Sequence, residues 1–212
     1  MFTGLIRHLG TLQSRQARRG GLGLRLAAPS ELLDRAEPGA SVCVHGACLT
    51  SVARDGTTFE VELSEETLAR TRFGDMAPGT RLHLEPSLRV GDPLDGHFVM
   101  GHVDGLGRLL ERPGGEGLWR FAFPPALAAL LAPKGSVAVD GISLTVVEVG
   151  PDGFSVALIP ETVRRTALDG LRRGDPVHLE ADPIARYVER ARQLQGSEER
   201  LREFARRGWE AS

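Results

Sequence analysis

The sequence predicts an all-β protein that contains two similar small antiparallel barrels. One observation is an internal repeat: SVCVHGACLT at 41–50 returns as SVAVDGISLT at 136–145, and three further blocks repeat in the same order at nearly the same spacing. The other is a series of short alternating runs separated by Gly and Asp-Gly turns, which is typical of many short strands. Each copy has about 95 residues, enough for its own core. We therefore expect one barrel over residues 1–96, a second over 97–183 and a C-terminal segment over 184–212.

The strands are predicted where apolar and polar residues alternate. Asp-Gly pairs such as Asp55-Gly56 and Asp152-Gly153 favour the tight turns between them. Ser or Pro at the first helical positions predicts short helices that interrupt each copy. The helices are expected to begin near Ser30, Ser64, Pro125 and Pro160. The predicted strands are 41–44, 58–63, 81–84, 136–139, 144–149, 154–158 and 176–179.

The segment after the second copy has no counterpart in the first. Pro183 begins a stretch in which apolar residues recur at helical spacing, which predicts an amphipathic helix. Two roles are open for its apolar face: packing against its own barrel, or association with copies of itself. A second, strongly charged turn after Gly196 is expected to end near Trp209. The apolar positions are Ile184, Tyr187, Val188, Ala191 and Leu194.

The composition is that of an ordinary globular protein. A formal net charge of −2 with 41% hydrophobic residues excludes the basic surface that nucleic-acid binding requires. The longest apolar stretch, 121–132, contains two prolines and is too short to span a bilayer, so no membrane role is expected. The N-terminus lacks the pattern of a secretory signal, and we expect a cytoplasmic protein.

No motif for a metal or a cofactor stands out. The only cysteines, Cys43 and Cys48, are five residues apart, which is a poor arrangement for a disulfide and supplies too few ligands for zinc. Both are expected to be reduced thiols. The glycines of 101–107 lie in a strand context and make a weak nucleotide fingerprint. We therefore expect chemistry without a metal or a cofactor.

Several polar residues recur in both copies and are candidate ligand contacts. Cys48 and Ser143 precede a Leu-Thr pair, whose threonines are Thr50 and Thr145, and a Glu-Thr pair follows in each copy. The glycine upstream of each Leu-Thr pair suits a turn that brings the backbone close to a bound molecule. The alternative is that these threonines are ordinary strand residues.

The histidines and the single lysine distinguish the copies. His83 and His178 are equivalent, which favours a scaffold role, whereas His102 lies where the first copy has Leu5. A histidine there can exchange protons near neutral pH, although it can also be an ordinary hydrogen-bonded loop residue. Apart from the histidines, every other basic residue is arginine, so Lys134 favours a place where a compact ammonium is required. The alternative is a lysine that has survived by chance on a loop.

An ordered set of blocks carries a resemblance to a known family. The chain resembles riboflavin synthase of the alpha-chain type over residue 1 to about residue 192. The blocks are Met1-Phe2-Thr3-Gly4-Leu5-Ile6, Cys48-Leu49-Thr50, Gly101-His102-Val103-Asp104-Gly105, Lys134-Gly135-Ser136, Asp140-Gly141-Ile142-Ser143-Leu144-Thr145 and Leu158-Ile159-Pro160-Glu161-Thr162.

The resemblance implies two six-stranded Greek-key barrels, each a lumazine-binding repeat, and a C-terminal helix through which three chains form a homotrimer. The implied reaction is the last step of riboflavin biosynthesis, a dismutation in which two molecules of 6,7-dimethyl-8-ribityllumazine exchange a four-carbon unit. The products are riboflavin and 5-amino-6-ribitylaminouracil, and no cofactor is needed. An association with lumazine synthase, the enzyme of the preceding step, stays open.

The resemblance also implies one pocket in each barrel. The first would use Gly4, Leu5, Ile6, Cys48, Leu49, Thr50, Glu62, Leu63, Ser64, Glu65, Glu66 and Thr67, with Phe2, Thr3 and Ser41 nearby. The second would use Gly101, His102, Val103, Lys134, Ser143, Leu144, Thr145, Ala157, Leu158, Ile159, Pro160, Glu161 and Thr162.

The implied catalytic groups are few. His102 would transfer protons, and Asp182 would add a hydrogen bond near the end of the second barrel. Ser143, Thr145, Cys48 and Thr50 would be polar contacts or nucleophiles. His45 departs from the family, which has Asn before this glycine. The alternative function is a non-catalytic lumazine-binding antenna protein, for which one good pocket would suffice.

Overall fold

The computed structural model describes residues 1–113 and 117–195, and within them the chain forms two closed six-stranded antiparallel barrels. This confirms the predicted fold class. The first barrel has strands β1 His8–Arg18, β2 Gly21–Ala27, β3 Ser41–Val44, β4 Ala47–Arg54, β5 Thr58–Ser64 and β6 Arg81–Pro86. The second has β7 Gly105–Glu111, β8 Leu118–Ala122, β9 Ser136–Val139, β10 Ile142–Val149, β11 Gly153–Ala157 and β12 Pro176–Ala181.

Both barrels have the same strand order, β1-β2-β5-β4-β3-β6 in the first and its repeat equivalent in the second. Register shifts fall at equivalent places, for example between Leu12 and Ser14 in β1 and between Leu109 and Glu111 in β7. Such bulges bend a strand around the corner of a small barrel. The interiors are filled by buried side chains that include Phe59, Val61, Phe121 and Val156.

Short helices begin where the sequence predicts them. They are α1 Ser30–Leu33, α2 Glu65–Arg70 and α3 Pro160–Arg165, with 3-10 turns at Pro125–Leu127 and Ala167–Gly170. Ser64 is the N-cap of α2, because its hydroxyl accepts a hydrogen bond from the Thr67 N–H at 3.2 Å. Helix α2 therefore begins directly at the end of β5 and projects Glu66 and Thr67 beside the barrel.

The segments that precede β1 and β7 are exchanged between the barrels. Phe2 and Val99 form a β-bridge and are fully buried between the barrels. Ile6 packs against the core of the second barrel, whereas Val103 packs against the core of the first. The domain boundaries stay a prediction, since each copy contributes residues to the other's barrel.

Two buried carboxylates fasten the exchanged segments. Glu85 accepts hydrogen bonds from the N–H groups of Thr3 at 2.7 Å and Gly4 at 3.0 Å. Glu180 accepts the equivalent bonds from Met100 at 2.8 Å and Gly101 at 2.9 Å. Because backbone donors in a buried segment must be paired, these glutamates hold both segments in place.

The histidines expected to be scaffold residues lie between the barrels. Nδ1 of His83 is 2.8 Å from the Asp140 carbonyl, and Nδ1 of His178 is 2.7 Å from the His45 carbonyl. Burial lowers the pKa of His83 to about 3 and that of His178 to about 4. Burial by itself raises the pKa of Asp140, but His45 and Arg72 beside it hold that pKa below its ordinary value.

Residues 183–195 are helical and form α4. Asp182 lies just before the helix, and its Oδ1 accepts a hydrogen bond from the Ile184 N–H at 2.9 Å. The apolar residues Ile184, Tyr187, Val188 and Leu194 are exposed, so this face does not pack against its own barrel. The charged turn predicted after Gly196 lies outside the described residues. No helix within 1–113 and 117–195 is long and apolar enough to cross a membrane.

Candidate active site

The first candidate pocket is formed where the exchanged segment 101–103 lies against β4 and α2. Its volume is about 370 Å³. The Cys48 N–H donates a hydrogen bond to the Gly101 carbonyl at 2.8 Å. Gly101 has φ +75°, and a Cβ there would be 2.4 Å from the Cys48 nitrogen, so only glycine allows this approach. The lining residues are Ala47, Cys48, Glu66, Thr67, Arg70, Thr71, Gly101, His102, Val103, Asp104 and Arg186.

The chemical groups of this pocket are a thiol, an imidazole, two hydroxyls and two ion pairs. Cys48 is half-buried and His102 is exposed at the mouth. Nε of Arg70 is 3.0 Å from a Glu66 carboxylate oxygen, so both side chains are already partnered. The pocket can therefore offer Cys48 and His102 to a ligand, together with the backbone of the exchanged segment.

The second barrel has the equivalent contact. The Ser143 N–H donates a hydrogen bond to the Gly4 carbonyl at 2.8 Å, and Gly4 also has φ +75°. A Cβ on Gly4 would be 2.6 Å from the Ser143 Cβ. The expected grouping of the pocket residues was therefore wrong: Gly4 and Ile6 lie with the second barrel, and Gly101, His102 and Val103 lie with the first. Leu5, between Gly4 and Ile6, lines a separate cavity next to the first barrel. In the chain each segment directly precedes the first strand of one barrel, but in space it packs against the other barrel.

His97 is a candidate residue that the sequence-based site did not include. Its Nδ1 lies 2.7 Å from the Ser143 hydroxyl oxygen, and its Nε2 is buried without a hydrogen-bond partner. Burial lowers the pKa of His97, while the nearby carboxylate of Asp182 opposes this change. His97 is therefore a neutral base beside a hydroxyl and close to Asp182. The available signal was its position in the same glycine-rich stretch as His102.

Some of the other predicted residues are buried inside or between the barrels, and others lie at the surface. Phe2 and Thr3 are buried at the seam, and the side chains of Leu49, Leu63 and Leu144 belong to the cores. Ser41 pairs with Thr50 across β3 and β4, and Thr50 and Thr145 are exposed. Glu62, Ser64 and Glu65 are exposed around the start of α2.

The remaining residues of the second set lie beside a wider groove. Its volume is about 660 Å³, and Trp119 forms part of its wall. Arg112 lies over the Trp119 ring with its guanidinium carbon 5.0 Å from the centroid. Glu161 and Thr162 belong to the adjoining α3. Ala157, Leu158, Ile159 and Pro160 line the groove.

Lys134 lies in the turn before β9 and lines neither cavity. It has φ +65°, a conformation that costs an L-amino acid roughly 1–2 kcal/mol. The equivalent position in the first copy is Gly39, also with positive φ and with the same backbone bond to the neighbouring strand. The chain therefore has a lysine at a position where a glycine would be less strained. This favours a ligand-binding role for the exposed ammonium group.

The electrostatics of the site depend on the fastening carboxylates. Burial raises the pKa of Glu180 to about 7, although the Met100 and Gly101 N–H groups lower it. Burial also raises the pKa of Glu85. Among the described residues, no group of three or more His, Cys, Asp or Glu side chains is arranged to hold a metal ion.

Sequence comparisons establish the relationship to known proteins. The family model described as the lumazine binding domain matches twice, at residues 3–87 and 100–182. Riboflavin synthase of Mycobacterium tuberculosis is 40% identical over 198 residues, which cover 90% of this chain and 97% of that protein. The chain belongs to the riboflavin synthase family. Its two lumazine-binding repeats coincide with the two barrels. Further relatives of this family are the riboflavin synthases of Brucella abortus, 39% identical over 92% of this chain and all of that protein, and of Bacillus subtilis, 32% identical over 90% and 89%.

Solved structures share the fold of the lumazine-binding repeats. LumP complexed with 6,7-dimethyl-8-(1'-D-ribityl) lumazine has a TM-score of 0.76 at 18% identity, and the match covers 85% of this chain and 99% of that one. LumP complexed with riboflavin has a TM-score of 0.78 at 20% identity with the same coverage.

Proposed function

We propose that this protein is a riboflavin synthase that converts two molecules of 6,7-dimethyl-8-ribityllumazine into riboflavin and 5-amino-6-ribitylaminouracil. The observation that carries the proposal is the paired site: the Cys48 N–H bonds to the Gly101 carbonyl, as the Ser143 N–H bonds to the Gly4 carbonyl. Donor and acceptor in this reaction are the same compound, so two similar pockets suit it. Transfer of a four-carbon unit makes the enzyme a transferase.

The reaction needs little from the protein beyond orientation and proton transfer. The electron-poor lumazine ring makes the C7 methyl of one molecule acidic and leaves C7 of the other open to addition. Binding two lumazine rings in contact makes their reaction effectively unimolecular. Positioned bases then transfer the protons. The protein therefore supplies two pockets and a few titratable groups.

The groups of the two pockets differ, which suits unequal roles for two identical substrates. Beside the second barrel, burial lowers the pKa of His97 and so favours its neutral imidazole, which can accept a proton from Ser143 or from a ligand next to it. Asp182 is close enough to stabilise the imidazolium that results. In the first pocket, His102 and Cys48 line the ligand space.

We also propose a homotrimer assembled through α4, in which Lys134 completes a pocket of the neighbouring subunit. The support is the exposed apolar face of α4 and the exposed, strained position of Lys134 away from both cavities of its own chain. Removal of residues 183–212 is expected to leave folded barrels that no longer form trimers. Light scattering measures the mass, and a truncated protein that stays trimeric would contradict the assembly. Association with lumazine synthase remains a proposal, tested by the mass of a mixture of the two proteins.

A direct assay separates the enzyme from an antenna protein. The protein is incubated with 6,7-dimethyl-8-ribityllumazine, and riboflavin absorbance is followed. We expect riboflavin to accumulate at half the rate of lumazine consumption, since two substrates give one product. Stable lumazine fluorescence without turnover would contradict the enzyme and favour the antenna function.

A further inference from the structure

We propose that Asp104 and Arg186 form a latch through which α4 holds the 101–103 wall of the first pocket in its binding position. The inference rests on the proposed function, because the ligand of this pocket is taken to be the lumazine. Both residues line the pocket, and Arg186 is the only residue of α4 among those that do, within the described part of the chain. They are positioning residues, since they act through the segment that carries Gly101 and His102.

The contact between the two side chains is bidentate. Nη1 of Arg186 is 2.7 Å from Oδ1 of Asp104, and Nη2 is 3.1 Å from Oδ2. A planar guanidinium paired with both carboxylate oxygens fixes orientation as well as distance, which a lysine cannot do. The Asp104 side chain is only 14% exposed, whereas that of Arg186 is 44% exposed, so solvent screens this pair less than it screens a pair in which both side chains are exposed.

Asp104 lies at the point where the chain leaves the first barrel and enters the second. Its Oδ2 also accepts a hydrogen bond from the Ala181 N–H at 2.9 Å, and its own N–H donates to the Leu179 carbonyl at 2.8 Å. One carboxylate therefore joins the end of the pocket wall to β12 and to α4. Without Arg186, the wall would keep its backbone bonds but lose the side-chain link to the helix.

The latch exists for one pocket only. At the position equivalent to Asp104 the first copy has Arg7, whose contact with Asp95 is 3.8 Å between two well-exposed side chains. No helix follows the first barrel in the way that α4 follows the second. The pair is thus an addition to the repeat rather than a requirement of the barrel fold, and its effect should fall on the pocket that contains His102.

The test compares Arg186→Gln and Arg186→Lys with Arg192→Gln in the full-length protein. Arg192 is the matched control, because among the described residues its recorded ion pair is with Glu189 on the same helix. The affinity for 6,7-dimethyl-8-ribityllumazine is measured by fluorescence titration, kcat and KM by riboflavin formation, and mass by light scattering. For Arg186→Gln we expect Kd and KM to rise about tenfold, equivalent to about 1.4 kcal/mol, with kcat within about twofold and the mass unchanged. Arg186→Lys should lose part of the affinity and Arg192→Gln none.

A charge swap guards against a merely structural effect. Asp104→Arg combined with Arg186→Asp restores an ion pair of reversed polarity, and we expect it to recover affinity that Asp104→Arg alone loses. A folded Arg186→Gln protein with wild-type Kd and KM would overturn the latch. So would an affinity loss that appears only together with a change in mass. A wild-type protein that neither binds nor converts lumazine would instead overturn the proposed function.

Discussion

Nδ1 of His97 lies 2.7 Å from the hydroxyl oxygen of Ser143, although 46 positions separate the two residues in the chain. The contact arises because the stretch before β7 returns to the seam where the N-terminal segment meets β10. Gly96 makes the same approach: a Cβ there would be 2.0 Å from the Thr3 carbonyl oxygen and 3.1 Å from the Ser143 Cβ. The exchange of segments therefore brings His97 and Ser143 together.

The first prediction concerns this pair. His97→Asn keeps a hydrogen-bonding group near Nδ1 but cannot carry a proton, so kcat should fall by about a hundredfold or more while lumazine affinity changes little. Ser143→Ala should lower kcat as well. If the two residues act as a unit, the double variant should be no slower than the slower single variant. Multiplicative losses in the double variant would argue against a shared relay.

The second prediction concerns His102 at the mouth of the first pocket. His102→Gln should lower kcat by about a hundredfold, because glutamine keeps a polar side chain but cannot shuttle a proton. The affinity for lumazine and the mass of the assembly should be unaffected. Steady-state rates between pH 5 and 8 provide the measurement. Normal turnover over this range would remove His102 from the acid-base chemistry.

The third prediction separates the charge of Lys134 from its backbone strain. Lys134→Gly removes a side chain at φ +65°, so stability should not fall, whereas substrate affinity should fall by about tenfold or more if the ammonium binds a ligand. Lys134→Arg keeps the charge and should also weaken binding, since the planar fork does not fit the place of an ammonium. Urea unfolding and fluorescence titration measure the two quantities. Unchanged affinity in both variants would exclude a ligand role.

The fourth prediction concerns acid stability. The folded-state pKa values of His83 and His178, about 3 and about 4, lie below the ordinary value of 6.5, so the unfolded chain binds protons first as the pH falls. Their contribution to the free energy of unfolding is complete above pH 6.5 and is lost progressively as the pH falls from 6.5 to about 4 for His178 and to about 3 for His83. Glu180 acts in the opposite sense, because its raised pKa lets the folded state bind a proton below about pH 7.

The comparison of variants isolates the histidines from Glu180. The free energy of unfolding is measured with urea at pH 7 and at pH 5. Between these values it should fall less for the double variant His83→Asn, His178→Asn than for the wild type, although the double variant is less stable at pH 7. Equal losses in the two proteins would show that these histidines do not set the acid sensitivity.

The repeat made the two barrels predictable, but not every strand in them. Strand β1 was not predicted, because its last six residues are all exposed and show no alternation. Strand β2 was not predicted either, although Leu22, Leu24 and Leu26 alternate, because a glycine and an arginine stand between them. They form because β2 pairs along its whole length with β5. Tertiary pairing thus supplies what local pattern does not.

The site was predictable by position but not by grouping. The repeat aligns Gly4 with Gly101 and Cys48 with Ser143. This alignment does not show whether each segment packs on its own barrel or on the other one. The arrangement is decided by contacts between residues that are far apart in the sequence: Ile6 packs against the core of the second barrel, and Val103 packs against the core of the first. His97 was passed over for a related reason: its partner Ser143 is distant in the chain, and nothing near His97 indicates a hydroxyl beside it.

The exchange of segments also bears on how such a chain can be divided. A single copy, cut between residues 96 and 97, would keep Cys48 but lose the Gly101 carbonyl that its N–H bonds to, and its own Gly4 would have no Ser143 to meet. Two separate copies could form the same contacts by exchanging segments with each other. The two halves of this chain thus have the arrangement of a segment-exchanged dimer whose members are joined covalently, with the contacts between them kept inside one molecule.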